Sequence, residues 1–237
     1  MTVSDTGLIS RLHRDFIMQE RSYLKAIREL RQAKTGFMDQ VLENQKLVEG
    51  TLVALTNALE AKDPYTLGHS HRVSRFAEGI ALSLGLSPKQ CETIRLAALF
   101  HDIGKIGIPD SILGKKGPLT EEEFAQVRRH PELSVKIVES VDPFHLLLPA
   151  IRHHHENWDG SGYPDGLREN QIPIGACIIR VADSFDAMTS NRPYRADDSP
   201  RSAVTEIKAK SGTWFHPDIV NQFEIYCQST SLVSIRT

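Results

Sequence analysis

Ile94-Arg95-Leu96-Ala97-Ala98-Leu99-Phe100-His101-Asp102-Ile103-Gly104-Lys105 is the stretch whose reading decides the fold. Leu96 to Phe100 is an unbroken apolar run, which reads as a helix buried on every side. Its end carries His101, Asp102 and Lys105. A polar group taken out of water without a partner costs about 2–7 kcal/mol, so this helix end needs compensation. His101 and Asp102 offer an imidazole nitrogen and a carboxylate oxygen side by side, a donor pair suited to a divalent cation. A plainer reading also fits: a satisfied core histidine, a surface carboxylate, and a lysine meeting the last carbonyls of the helix. The stretch alone leaves both open.

Outward from it, the chain reads as helix after helix. His69 to Leu84 carries Val73, Phe76, Ala77, Ile80, Ala81 and Leu84 on one face, Gly85 closes it, and Ser87-Pro88 opens the central helix as N-cap and first residue. The central helix runs to Gly104 in this reading, before an extended loop with Pro109, Gly114, Gly117 and Pro118. Thr120 and Glu123 form a capping box for a helix running to His130, and Pro131 starts the next. Another runs from about Pro149 into His153-His154-His155, and Asp159 to Gly175 is a loop dense in Gly and Pro. Ala176 to Thr189, Pro200 to Lys210 and Pro217 to Cys227 complete the set. No run alternates with period two for long enough to make a strand, so the fold is all-α.

Residues 8 to about 60 lack proline and are rich in Leu, Glu, Gln, Lys and Arg. Tyr23, Ile27, Leu30, Phe37, Val41 and Val48 recur with alternating steps of three and four, with Lys34 and Asn44 as polar interruptions. That spacing is a heptad seam and predicts a parallel coiled-coil homodimer. The step from Val48 to Leu52 is a stutter, where the coil relaxes into a globular helix. The expected division is therefore 1–50, a helical dimerisation or signalling segment, and 51–237, the globular domain. A coil of this kind relays signals from an upstream sensory or receiver domain.

With 237 residues, 40% hydrophobic and 24% charged, the chain suits a globular protein. A net charge of −2 gives no global field toward nucleic acid polymers or anionic membranes. Cys91, Cys177 and Cys227 are odd in number and widely spaced, which argues for a reducing compartment. With no leader-like segment and no stretch of membrane-spanning length, the expected location is the cytoplasm.

Histidine is the informative residue type. His69, His101, His130, His154 and His155 fall at helix ends, and Asp183 interrupts the apolar stretch Ile178-Ile179-Arg180-Val181-Ala182. Taken singly, each has a structural reading, Asp183 as an ion-pair partner of Arg180 among them. Together with Asp102 they make five imidazoles and two carboxylates, too many donors for one divalent ion and enough for two. Such a mixed set suits iron, manganese or zinc better than magnesium or calcium.

Several further stretches carry a resemblance. They are Asp63-Pro64-Tyr65-Thr66 with Gly68-His69-Ser70, His101 to Asp110, and His153-His154-His155-Glu156. Asp159-Gly160-Ser161-Gly162-Tyr163-Pro164 and Asn191-Arg192-Pro193-Tyr194-Arg195 follow. In order and spacing, from about Leu52 to Phe223, the chain resembles the HD-GYP family of bacterial cyclic-di-GMP phosphodiesterases, within the HD phosphohydrolase superfamily.

The resemblance implies an HD-type multi-helix bundle and hydrolysis of 3′,5′-cyclic di-GMP to linear pGpG, with GMP as a further product. Alternatives within reach are a preference for cyclic GMP-AMP, or a catalytically weak effector that binds a cyclic dinucleotide or a partner protein. The resemblance places His69, His101, Asp102, His130, His154, His155 and Asp183 at metal-ligand positions, with Asp102 bridging two divalent ions, iron first and manganese second. Lys105 takes the position of a lysine that contacts the scissile phosphate, and Asp102 and Lys105 are the catalytic pair. Gly162, Tyr163 and Pro164 shape the substrate cleft, and Arg192 and Arg195 match phosphate-holding cations; without the resemblance, both arginines read as surface residues. Some members hold a third metal through a Glu where this chain has Tyr65, so a dinuclear centre is expected. His71 and His153 match no ligand position. A GGDEF-type protein is a further partner the family suggests.

Overall fold

The computed structural model describes residues 4–61, 67–190 and 199–230. Helix α3 (Pro88–Phe100) lies at the centre of the larger unit because its second half, Leu96 to Phe100, is wholly apolar. Ile94 and the run Leu96 to Phe100 are buried, so this helix contacts neighbours on several sides. It packs against α2 (His69–Ser83), α7 (Leu148–His153) and α8 (Ile174–Thr189). A capping box starts it: Ser87 Oγ accepts the Gln90 N–H at 3.4 Å, and Gln90 Oε1 accepts the Ser87 N–H at 3.0 Å. Helix α8 is the second core element, with Ile178, Ile179, Val181, Ala182 and Phe185 buried. Phe185 meets Phe76 and Phe223 edge-on at ring separations of 5.2 and 5.0 Å. Each such side chain contributes about 1.5–3 kcal/mol on full burial.

Around this pair lie α4 (Asp110–Leu113), α5 (Glu121–Val127), α6 (His130–Val138), α9 (Pro200–Ala209) and α10 (Pro217–Ser229). Among the described residues no strand forms, and one isolated bridge joins Ser211 to Phe215. The all-α expectation holds, and so does the long first helix, α1 (Ser4–Glu60). The chain divides into two compact units, Met1–Glu49 and Gly50–Thr237. No helix among the described residues is long and apolar enough to cross a membrane.

Two helix boundaries differ from the sequence reading. The central helix stops at Phe100, and Ile103–Gly107 tightens into a 3-10 turn. Ser134 causes this by clasping both sides of the turn: its Oγ donates to His101 O at 2.7 Å and accepts the Gly104 N–H at 2.8 Å. The turn then lies so close to α6 that a Cβ on Gly104 would fall 2.2 Å from His130 O and 2.3 Å from Ser134 N. The second difference is at His130, which opens α6 instead of closing α5. Pro131 has no N–H to give and its ring fits only a first turn, so the helix restarts around it.

Gly104→Ala is therefore expected to destabilise the protein by about 2–3 kcal/mol, because the overlap is with backbone and no rotamer relieves it. Gly117→Ala, whose Cβ would meet nothing within 4 Å, is the matched control. Thermal unfolding of the two variants checks this, and equal midpoints would contradict it.

Candidate metal centre

Four helix ends and one helix interior deliver the candidate ligands. His69 opens α2 behind Gly68, whose φ of 72° is the left-handed turn that aims the new helix inward. Glu60 fixes that start, its two carboxylate oxygens accepting the Gly68 and Ser70 N–H groups at 2.7 Å each. His101 caps α3 and Asp102 follows it; His130 begins α6; His154 caps α7 and His155 follows; Asp183 lies within α8.

Their donor atoms gather in two adjoining groups, Asp102 with His130, His154 and His155, and His69 with His101 and Asp183. Within each group the donor atoms lie within 4.8 Å of one another. Asp102 faces both groups. Its Oδ2 is 3.4 Å from His101 Nε2 and 3.8 Å from His69 Nε2, while its Oδ1 is 3.1 Å from His130 Nε2.

The histidines are prepared by what their other ring nitrogens do. Nδ1 of His101, His130 and His154 each meets the carbonyl three residues back, Ala98 at 2.7 Å, Val127 at 2.8 Å and Ile151 at 2.6 Å. A carbonyl only accepts, so each Nδ1 carries the proton, and in the neutral ring Nε2 is a bare lone pair. Burial keeps His101 and His154 below the ordinary imidazole range, so the neutral form prevails there. The cage is thereby left with acceptors that have no donor to face. His130 Nε2 and His154 Nε2 stand 3.2 Å apart, and the buried His101 Nε2 and Asp102 Oδ1 receive no hydrogen bond. Lone pairs turned toward lone pairs repel unless a cation lies between them, so the donor set fits divalent metal ions.

Charge points the same way. Burial alone would raise Asp102 and Asp183, but Lys105 for the first, and His69 for the second, with further imidazoles around both, hold them well below the usual carboxylate range. Lys105 Nζ lies 2.5 Å from Asp102 Oδ2. Burial would lower His69, yet Asp183 and Asp186 outweigh it and raise the group to about 10. A proton on Nε2, 3.4 Å from Asp183 Oδ1, or a metal cation in its place, meets that demand for positive charge.

Asp186 is the residue that sequence reasoning missed. Its Oδ2 accepts from His69 Nδ1 at 2.7 Å, and Arg72 Nε donates to its Oδ1 at 2.6 Å. It orients His69 as the carbonyls orient His101, His130 and His154. The signal was present: a second carboxylate one turn after Asp183 on a helix that is otherwise buried. The Arg180–Asp183 pair left open by the sequence is not made, since Arg180 donates to Asn157 Oδ1 at 3.0 and 3.3 Å.

The loop after α7 covers the His130 side. A Cβ on Gly162 would fall 2.3 Å from Asn157 N and 2.4 Å from Glu156 Cα, so only glycine fits. This packing brings the Tyr163 ring onto His155, stacked at 4.8 Å, while Arg128 lies over its other reach at 5.5 Å. Buried Glu156 anchors the loop through Oε1, which accepts the Asp165 and Gly166 N–H groups at 2.8 and 3.0 Å. Asp165 in turn holds Arg152 and His153 at 2.8 and 2.9 Å, which keep its carboxyl at about 2. His153 thus belongs to the loop, and His71 is exposed. Arg192, Arg195 and Tyr65 lie outside the described residues.

A helical bundle that turns imidazoles and carboxylates inward from successive helix ends is the architecture of the HD-type proteins. The chain belongs to this family: the family profile described as "HD domain" matches residues 54–219. A cyclic di-GMP phosphodiesterase of Thermotoga maritima is 40% identical over 89% of this chain and 58% of its own length. A 3′3′-cGAMP-specific phosphodiesterase 3 of Vibrio cholerae is 41% identical over 63% of this chain and 32% of its own. These relatives bear out the narrower HD-GYP resemblance. In fold, the chain is similar to the crystal structure of a cyclic GMP-AMP specific phosphodiesterase of V. cholerae. Its TM-score is 0.59, with 20% identity over 78% of this chain and 50% of that one. The chain thus spans about three-fifths of the length of the first relative and a third of the second.

Glu156→Ala removes two hydrogen bonds to a charged acceptor, each of order 1.5–3 kcal/mol. The Asp165 and Gly166 amides are expected to exchange at least ~10-fold faster by hydrogen–deuterium exchange, with the α3 amides unchanged. Unchanged loop exchange would contradict the anchoring role.

Proposed function

We propose that this chain hydrolyses a phosphodiester bond of 3′,5′-cyclic di-GMP, giving linear pGpG and, in a second round, GMP. The observation that carries the reading is Asp102, whose two oxygens face two adjoining groups of candidate ligands, with His101 Nε2 and Asp102 Oδ1 buried and without a hydrogen bond. In this reading His69, His101 and Asp183 would hold one divalent ion and His130, His154 and His155 a second, with Asp102 available to both. Iron is the first choice and manganese the second, since nitrogen and carboxylate donors are mixed. Two such ions lower the pKa of water and neutralise charge on phosphoryl oxygens.

The chain's own groups do the rest. Lys105 keeps an ammonium at the shared carboxylate, where it stabilises the charge that develops on the scissile phosphate. Tyr163, fixed by Gly162 and stacked on His155, walls the cleft beside the second group of ligands. Arg192 and Arg195 offer planar forks to the substrate phosphates. The near-complete burial of His69, His101, His130 and His154 keeps bulk water from competing for their lone pairs.

A preference for cyclic GMP-AMP is the second reading, favoured by the 41% identity to a relative of that named specificity. A catalytically weak effector role is disfavoured, because all seven ligand positions are filled by ligating residues. The larger size of the relatives supports an upstream sensory or receiver domain, or a GGDEF-type partner, acting on residues 1–50, with 51–237 as the catalytic part. A second copy of the chain is the proposed partner of that segment. Three buried free cysteines support a reducing cytoplasm.

Protein purified anaerobically is expected to carry two metal ions per chain and to open cyclic di-GMP, as read by metal analysis and product chromatography alongside cyclic GMP-AMP. His101→Ala and Asp102→Ala should lose metal and cleavage together. Lys105→Ala should keep the metal and lose about 10²–10³ in kcat. Full turnover by either ligand variant would refute the assignment.

A further inference from the structure

The Met1–Glu49 unit exposes more apolar surface than a lone helix retains. Leu12, Phe16, Tyr23, Leu30, Phe37 and Leu47 are each at least 61% exposed. A helix gains most of its stability from covering such a face, and uncovered it is a docking surface. Which partner covers it is decided by the polar residues inside the stripe. In the heptad that places Tyr23, Leu30 and Phe37 at d, Glu20 and Lys34 both occupy a. A parallel, in-register pair sets each residue against itself, so Glu20 would face Glu20 and Lys34 would face Lys34 within the seam. Like charges in a partly dry seam repel.

We propose that the first unit pairs with a second copy of this chain running antiparallel, with Ile27 against the partner's Leu30. Reversal brings Glu20 and the partner's Lys34 into adjacent layers, ~4.5 Å apart along the axis, where opposite charges attract. Phe16 then faces the partner's Val41, a large ring against a small side chain, and His13 faces the partner's Asn44, polar against polar. One flank of the seam agrees. Leu12 falls beside the partner's Leu47, Gln19 beside the partner's Gln40, and Ala26 beside the partner's Ala33. A parallel pair would instead set Gln19 beside the partner's Leu24 and Ala26 beside the partner's Arg31. The antiparallel seam ends at Val48, next to Glu49, where the unit itself ends. Every contact occurs twice about a two-fold axis, so the interface is closed and assembly stops at two.

The test is disulfide trapping in the full chain, where the native cysteines are buried. Phe16→Cys and Val41→Cys, both on the exposed helix, are produced singly and co-expressed under different tags, then oxidised mildly. The antiparallel pairing predicts covalent dimers joining the two tags in the co-expressed sample. It predicts none from either variant alone, because like positions lie ~37 Å apart in this register. Light scattering of the unmodified chain should report two copies. Crosslinking of Phe16→Cys with itself, a monomer at tens of micromolar, or a dimer that traps in neither arrangement would each overturn the proposal.

Discussion

The structure depends on one unfavourable arrangement: imidazole lone pairs buried together with no proton between them. Backbone carbonyls at Ala98, Val127 and Ile151 take the Nδ1 protons of His101, His130 and His154, which leaves each Nε2 facing inward as an acceptor. Asp102 adds an oxygen that receives no hydrogen bond. Uncompensated, each such group costs kilocalories. A cation converts that cost into coordination, and the same burial that makes the cage expensive when empty of charge makes it selective for positive charge.

Much of the surrounding backbone serves to hold that cage. The 3-10 turn after α3 presses Gly104 against α6, and Ser134 ties both elements with one hydroxyl, fixing His101, Asp102 and His130 relative to one another. Glu60 settles the first turn of α2, and Asp186 with Arg72 aims His69. Glu156 and Gly162 bring Tyr163 onto His155. Each link acts through backbone or a buried carboxylate, where little motion is tolerated.

The legibility of these features in the sequence was uneven, for physical reasons. The helices and their capping boxes at Ser87 and Thr120 were readable because caps are local chemistry. Residue types and the family resemblance marked the candidate donors, but not how they divide into two groups, since that depends on contacts between distant helix ends. The end of α3 was misread because a tertiary clasp by Ser134, not a local breaker, stops the helix. Asp186 was overlooked because its partner, His69, is 117 residues away. The heptad spacing marked the long first helix and suggested that it pairs, while the proposed direction of pairing rests on the positions of Glu20 and Lys34, a weaker signal than apolar periodicity.

The central claim is that Asp102 lies between two cations. Anomalous diffraction from crystals of protein purified anaerobically, collected above and below the iron edge, measures this directly. The account predicts two peaks, one among His69, His101 and Asp183 and the other among His130, His154 and His155, each within coordination distance of Asp102. A single peak, or peaks away from these residues, would contradict it.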